Sequence, residues 1–260
     1  MSDPVLLTIE DGIARVVLNR PESGNAINIP LARALLDAAI RCDTDPDVRC
    51  VVIAGNGKLF CAGGDVELLG GAGDKLPAIL SELIAIFHAA VIRLAKMPKP
   101  LLTLVNGPAA GAGMSLSLLG DIVLSSRTAH YTPAYGALGL TADGGLSWLL
   151  PRLVGLRKAQ EIILTNRRIK ADEAEAMGLI TRAVDETDLE TKASAMAKQL
   201  ADAPVAALGA ARALILQSFH TSLETQLECE LNSMVIAGGG EAREGLAAFL
   251  AKRAPQFKGL

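Results

Sequence analysis

Two apolar runs, VRCVVIAG (48–55) and PLLTLVNG (100–107), each run into a glycine-rich loop, CAGGD (61–65) and GPAAGAG (107–113). Both runs read as buried strands, so both loops open at the ends of strands lying inside the molecule. The second loop also starts a helix, GAGMSLSLLGD, with no Ser, Thr, Asp or Asn to cap it. Two readings of that bare start compete. Small residues let a helix cross closely over a neighbouring backbone, because no Cβ intervenes. Equally, the first N–H groups of a helix have no intrahelical partner and carry partial positive charge, so an uncapped start leaves donors open to an anion or a developing oxyanion. The stretch alone supports both.

The rest of the chain sets the class. VLLTIE-DG-IARVVLN alternates and turns at Asp11-Gly12, a hairpin signal. Asn28 and Pro30 open a helix over PLARALLDAAIRC, FCAGGDVELLGGAGDK is a glycine-rich loop, Pro77 begins a long helix through Ala95, and IVLSS (122–126) is a further strand. Strand, strand and helix recur with a drifting repeat length, which excludes a fixed-period solenoid and departs from the simple alternation of a doubly wound sheet. The class is α/β. From about Asp185 the pattern is helical, and 204–238 reads as one long helix, apolar on more than one side, that needs a partner such as a second copy of the chain.

Half of the 260 residues are hydrophobic but only 3% are aromatic, and the net charge is −3. With a sequence pI near 5.7, nothing favours a nucleic-acid partner. Mean hydropathy is +0.35, yet charged residues interrupt every long apolar run, and the start, MSDPVLLTIEDG, lacks signal-peptide form. The expectation is a cytoplasmic protein with no membrane partner. Cys42, Cys50, Cys61 and Cys229 show neither C-x-x-C spacing nor metal-ligand partners, so no metal site and no disulfide set is expected. The G-A-G-M-S-L run lacks the third glycine of a dinucleotide fingerprint, Ser115 lies in no G-x-S-x-G elbow, and there is no Walker sequence. Two backbone-donor loops able to converge on one oxygen remain.

LNRPESGNAIN, FCAGGDVELL, LVNGPAAGAGMSLSLLGDIVLSS and GLTADGGLSWLLPRLVG together resemble the crotonase superfamily, the enoyl-CoA hydratase and isomerase family, over nearly the whole chain. The resemblance implies a spiral of β-β-α units over 1–200 and a helical oligomerisation region over 201–260, giving a homotrimer or a dimer of trimers. It implies an acyl-CoA thioester substrate, with no separate cofactor, whose carbonyl oxygen is held by the N–H groups of Gly64 and Ala112. The family's hydratases carry two glutamates at positions that here are Ser115 and Tyr135, and a hydroxyl is no general base near neutral pH. One carboxylate remains in the right segment, Asp143, in GLTADGG. An Asp-Gly pair is also a common turn. An aspartate there is similar to the catalytic one of phenylacetate-pathway isomerases and aromatic acyl-CoA dehalogenases, which favours enoyl-CoA isomerase over two-glutamate hydratase chemistry. The alternatives are aryl-CoA dehalogenation with Asp143 as nucleophile, or non-catalytic acyl-CoA binding. His88 matches the dehalogenase branch's base, but its helical spacing with Ile84 and Ile92 fits a packed core residue. The resemblance further places Arg20, Ala26, Ala62, Asp65, Val66, Phe249 and Lys252 around the CoA moiety, and an acyl pocket near 66–80, Tyr135 and Trp148.

Overall fold

The computed structural model describes residues 3–259. The hairpin forms as predicted: Asp11 and Gly12 take φ of 52° and 85°, and β1 (Val5–Glu10) pairs antiparallel with β2 (Ile13–Leu18). Positive φ at both turn residues matches the twist of the flanking strands. Helix α1 (Ile29–Thr44) starts where Asn28 Oδ1 accepts the Leu31 N–H at 3.0 Å. Strand β3 (Cys50–Gly55) follows. The stretch predicted as a continuous loop then differs: Asp65 caps a short helix, α2 (Val66–Gly70), before α3 (Leu76–Lys96). The aspartate side chain accepts the Leu68 N–H, which is the N-cap contact that turns this part of the loop into a helix.

By length and composition α3 is apolar enough to cross a membrane, with a mean hydropathy of 1.9 over its best window. It is instead tied into the molecule: Leu83, Phe87, Ala90, Val91 and Leu94 are buried, and the Arg33–Glu82 and Arg93–Asp43 ion pairs join it to α1.

Beyond α3 come β4 (Leu101–Val105), β5 (Ala109–Ala110), α4 (Ala112–Ser117), β6 (Ile122–Ser126) and β7 (His130–Thr132). The chain continues through α5 (Leu146–Val154), α6 (Leu156–Thr165), β8 (Ile169–Lys170), α7 (Ala171–Ala176) and β9 (Arg182–Val184). The large sheet has the order β1-β2-β3-β4-β6-β9 and is parallel from β2 onward. A second ladder runs beside it. Ile27 bridges Gly64, Cys61 bridges Ala109, β5 pairs with β7, and β7 with β8. Successive passes of the chain therefore put a strand in the large sheet and then a short extended segment in the second ladder, one step further along each time. That stepwise winding is the spiral.

Side-chain alternation along the parallel strands builds two cores. Val51, Ile53, Leu101 and Val105 face α1 and α3 in the larger one. Cys50, Val52, Ala54, Leu102 and Leu104 face Leu189, Ala193, Ala197 and Ala201 of α8 (Glu186–Asp202) in the other. Alanines four apart make the flat seam that lets α8 lie close to the sheet. Three cations close helix C-termini, where unpaired carbonyls collect negative charge. Lys99 Nζ donates to the Cys42 and Asp45 carbonyls at 2.7 and 2.6 Å. Arg49 reaches the Ala201 and Ala203 carbonyls at 2.6 and 2.8 Å. Arg212 reaches those of Met97 and Leu94 at 2.7 and 3.0 Å while pairing with Asp121 at 2.6 Å.

The long C-terminal helix of the sequence reading is corrected to two, α9 (Val205–Gln217) and α10 (Leu223–Gly238), followed by α11 (Glu241–Leu250). Ser222 restarts the helix by accepting the Thr225 N–H. No residue of α10 is buried, and Leu223, Leu227, Leu231 and Met234 are all more than half exposed.

Candidate active site

The two glycine loops meet. Cys61 bridges Ala109, Ala110 donates its N–H to the Cys61 carbonyl at 2.9 Å, and the Pro108 carbonyl accepts the Phe60 N–H at 3.1 Å. A Cβ on Gly113 would lie 2.3 Å from the Cys61 carbonyl oxygen, and one on Gly63 would lie 2.9 Å from that of Ala110. The packing reading of the small residues is therefore correct. So is the other reading of the helix start. Gly111, with φ 52°, stands at the N-cap of α4 and supplies no side-chain cap. Among the described residues, neither the Ala112 nor the Gly64 N–H donates to a protein acceptor. Close packing of the loops and open donors at their rim come from the same residues.

Asn25 and Cys61 shape the first loop from behind. Buried Asn25 donates from Nδ2 to the Asn56, Leu59 and Phe60 carbonyls at 2.9, 2.9 and 3.1 Å. The Cys61 thiol donates to the Asn25 carbonyl at 3.1 Å and accepts the Gly63 N–H at 3.4 Å. Burial pushes the thiol up to about 12, so it remains a protonated tie rather than a nucleophile.

Both loops open on a cavity of about 370 Å³. Its walls include Val66 and Leu69 of α2, Leu80, Leu83, Ile84 and Phe87 of α3, and Leu138 and Leu140 from the segment after β7, and Gly64, Ala112, Tyr135 and Asp143 also line it. Val66, Leu69, Leu80 and Tyr135, from segments expected to shape an acyl pocket, line this cavity, and Trp148 does not. Trp148 stacks on His220 with centroids 5.8 Å apart, and the Arg152 guanidinium lies 4.1 Å from its ring centroid.

Asp143 is the single carboxylate in the lining. Its Oδ1 accepts the Tyr135 hydroxyl at 2.7 Å, and Ser115 Oγ lies 3.0 Å from that phenol oxygen. Ser115 also reaches the Asp143 carbonyl at 2.9 Å, and His88 Nε2 accepts the Gly144 N–H at 3.0 Å. The Asp-Gly pair is thus a turn and part of the cavity at once, with the Asp143 carbonyl accepting the Leu146 N–H at 3.1 Å. Gly144 is obligatory: its φ is 59°, and a Cβ would meet both Phe87 and Ser115 at 2.8 Å. Burial pushes the Asp143 carboxyl above the usual carboxylate range, against the Tyr135 hydroxyl and the nearby His88, which pull it back. Burial and the adjacent carboxylate push the Tyr135 phenol far up, so it stays a donor.

Ser115 therefore holds more than the sequence reading gives it. The sequence reading also misses Ala134, whose φ of 64° aims Tyr135, and Asn166, whose Oδ1 accepts the Ala134 N–H at 2.6 Å. Neither carries a sequence signal: an alanine in the left-handed region looks like any other alanine.

Of the remaining candidates, Ala62 and Val66 line the cavity. Arg20 pairs with Asp65 at 3.0 Å and donates to the Ala26 carbonyl at 2.6 Å. These three are therefore committed to one another, with Asp65 additionally capping α2. Phe249, 81% exposed, and Lys252, also exposed, lie at and just after the end of α11 and do not line the cavity.

A winding α/β fold that brings two glycine-rich loops with open backbone donors and one partly buried carboxylate to a single apolar cavity defines a class of acyl-thioester enzymes, and the chain is similar to known members throughout. It matches the enoyl-CoA hydratase/isomerase family profile over residues 8–260. The 1,2-epoxyphenylacetyl-CoA isomerase of Escherichia coli K12 is 37% identical over the full length of both chains. The 4-chlorobenzoyl coenzyme A dehalogenase-2 of an Arthrobacter species is 34% identical over 93% of this chain and 88% of its own. The crystal structure of an enoyl-CoA hydratase from Polaromonas sp. JS666 superposes with a TM-score of 0.92 at 33% identity, covering 97% of this chain and 98% of that one. The chain belongs to the enoyl-CoA hydratase/isomerase family, within the crotonase superfamily.

Proposed function

We propose that this protein is an enoyl-CoA isomerase in which the Gly64 and Ala112 N–H groups hold the thioester oxygen and Asp143 carries the proton. One observation carries the reading: a single apolar cavity presents two unpartnered backbone donors and one partly buried carboxylate. Removing a proton from the carbon next to a thioester moves negative charge onto its oxygen. Preorganised N–H donors stabilise that charge, and losing one of them typically costs about 3–4 kcal/mol of transition-state stabilisation. A carboxylate raised by burial is a better matched base near neutral pH than an exposed one. The same group can remove the proton and return it further along the acyl chain, so no second carboxylate is required. At the two positions where a hydratase of this family needs glutamates, Ser115 and Tyr135 offer only hydroxyls.

The dehalogenase-like alternative needs a base to activate water against an intermediate on Asp143. His88 is poorly suited to that task. Its Nε2 lone pair accepts the Gly144 N–H, so in the neutral ring the proton lies on Nδ1 and no lone pair is left for water. This supports His88 as a support of the Asp143–Gly144 turn. The uncovered apolar residues of α10 support assembly of several copies, as a trimer or a dimer of trimers.

The test is a panel of enoyl-CoA isomers of graded chain length, with products separated by chromatography and the protein followed by mass spectrometry. Interconversion of double-bond isomers without covalent modification is the expected result. A covalent adduct on Asp143 during turnover of a halogenated aryl-CoA would replace this reading with the dehalogenase one. Retained CoA binding with no turnover of any acyl-CoA would leave a binding protein.

A further inference from the structure

The two carboxylate oxygens of Asp143 are not equivalent. Oδ1 accepts the Tyr135 hydroxyl at 2.7 Å, whereas Oδ2 accepts no hydrogen bond among the described residues. The tyrosine is fixed in turn. Ser115 Oγ lies 3.0 Å from its phenol oxygen. Its preceding residue, Ala134, holds φ 64° with its N–H bound to Asn166 at 2.6 Å, a conformation a non-glycine residue keeps only where its surroundings over-determine it. The backbone of Asp143 is held as firmly, by Ser115 and Leu146 on its carbonyl and by His88 on the next N–H.

We propose that Tyr135 is a positioning residue that reserves one oxygen of Asp143: with Oδ1 held by the phenol, Oδ2 alone exchanges the proton with the acyl group. The inference rests on the isomerase reading above. In the forward direction a Cα–H bond of a β,γ-unsaturated acyl-CoA breaks, its electron pair passes into the thioester as a dienolate, and the proton bonds to Oδ2. The return step breaks that O–H bond and forms a C–H bond at Cγ, while the dienolate electrons restore the thioester carbonyl and leave the double bond between Cα and Cβ. Nothing is oxidised or reduced. A single working oxygen on a fixed side chain makes both transfers on one face of the acyl group, and the apolar walls limit exchange of the carried proton with water. Tyr135 suits the task because burial and the neighbouring carboxylate keep its phenol protonated. Tyr135 and His88 are the titratable groups bearing on Asp143, and His88 meets its turn through the Gly144 N–H.

The test is Tyr135→Phe, which keeps the ring in the cavity wall and removes only the hydroxyl. The substrate is a β,γ-unsaturated acyl-CoA deuterated at Cα, and the readouts are kcat, KM, the acid limb of the kcat profile, and the share of deuterium recovered at Cγ. The expected result is a kcat lower by roughly tenfold or more with KM within about twofold, since a hydrogen bond to a charged group is lost from the reacting side chain rather than from a binding contact. The acid limb moves up by about one pH unit, because a donor that favours the ionised carboxylate is gone. The deuterium recovered at Cγ falls as the freed carboxylate turns and exchanges with solvent. Infrared titration of the Asp143 carboxyl, assigned by difference against Asp143→Asn, reads the same shift without turnover. Wild-type isomerisation with an unmoved titration and unmoved deuterium transfer in Tyr135→Phe would overturn this inference alone. Failure of the wild-type protein to isomerise any enoyl-CoA would remove the proposed reaction and this inference with it.

Discussion

Replacing Gly113 by alanine places a methyl group 2.3 Å from the Cys61 carbonyl oxygen, 2.7 Å from its Cβ and 2.8 Å from its carbonyl carbon. Two of those atoms are backbone, so no rotamer change relieves the contact. Ordinary van der Waals separation begins near 3.4 Å, so the two loops must part by about 1 Å at this point. Helix propensity pulls the other way, since alanine is favoured over glycine by up to about 1 kcal/mol in a helix. The clash decides the sign: overpacking of this kind costs about 1–3 kcal/mol, or roughly 3–10 °C in melting temperature for a chain of this size. Activity should suffer more than stability. Ala112 precedes the substituted residue and Gly64 lies three residues after Cys61, so parting the loops moves the two donors relative to each other. A displacement of 1 Å at a reacting centre can cost about a hundredfold. Thermal melting by circular dichroism, paired with kcat/KM on the preferred enoyl-CoA, measures both effects. A Gly113→Ala protein that melts within a degree or two of wild type and turns over at full rate would refute the convergence argument.

Ala112→Pro removes a donor at the first helical position, where proline is tolerated, so turnover should fall by about 10²–10³-fold in a folded protein; near-normal turnover would exclude Ala112 from the oxyanion site. Asp143→Asn should lower isomerisation by ~10²–10⁴-fold while CoA binding, measured by calorimetry, survives. Since burial raises the Asp143 carboxyl, wild-type kcat should be present above that raised value and lost as pH falls through it, on the less acidic side of the ordinary carboxylate range. Between the ordinary and the raised value the folded state holds more protons than the unfolded one, so this group's contribution to stability declines as pH rises through that window, and Asp143→Asn should melt higher than wild type at neutral pH. Arg212→Met leaves the Asp121 carboxylate and two helix-end carbonyls without their partner and should cost about 3 kcal/mol or more in denaturant unfolding. Sedimentation of the dilute protein should give at least a trimer, and a monomer would contradict the assembly reading.

The elements legible in the sequence are those whose signal is local. Asp11-Gly12, Asn28 with Pro30, and the apolar runs at 48–55 and 100–107 each carry their own turn, cap or burial pattern, and each forms where it was read. The break between α9 and α10 was missed because Phe219 interrupts no apolar pattern and Ser222 caps only through a contact three residues on. The spiral was out of reach of the residues themselves. Its second ladder rests on segments such as Ala109–Ala110, two residues long, and on single bridges such as Cys61 to Ala109, which no periodicity can announce. In the candidate site, the open start of α4 is legible as the absence of a capping side chain, whereas Gly64, Ala112 and Asp143 come from the family resemblance. The Tyr135–Asp143 contact was not legible, because it depends on the left-handed turn at Ala134 and on the Asn166 amide, 32 residues away.

The departures from the two-glutamate pattern belong together. The Tyr135 phenol oxygen lies 2.7 Å from Asp143 Oδ1 and 3.0 Å from Ser115 Oγ, so the side chains at positions 115, 135 and 143 share one small, partly buried space. Carboxylates at all three would place like charges within hydrogen-bonding distance, and such groups cannot all ionise. Hydroxyls at 115 and 135 spare the Asp143 carboxylate a like charge at hydrogen-bonding distance, which suits its proposed role as the base. Writing glutamates into Ser115 and Tyr135 therefore does not add hydration to the existing chemistry. The pair would compete with Asp143 for protons and remove the phenol that orients it. Hydration by such a variant would require Asp143 to be neutralised in the same chain, and the order in which these substitutions gain and lose activity reads out how tightly the three positions are coupled.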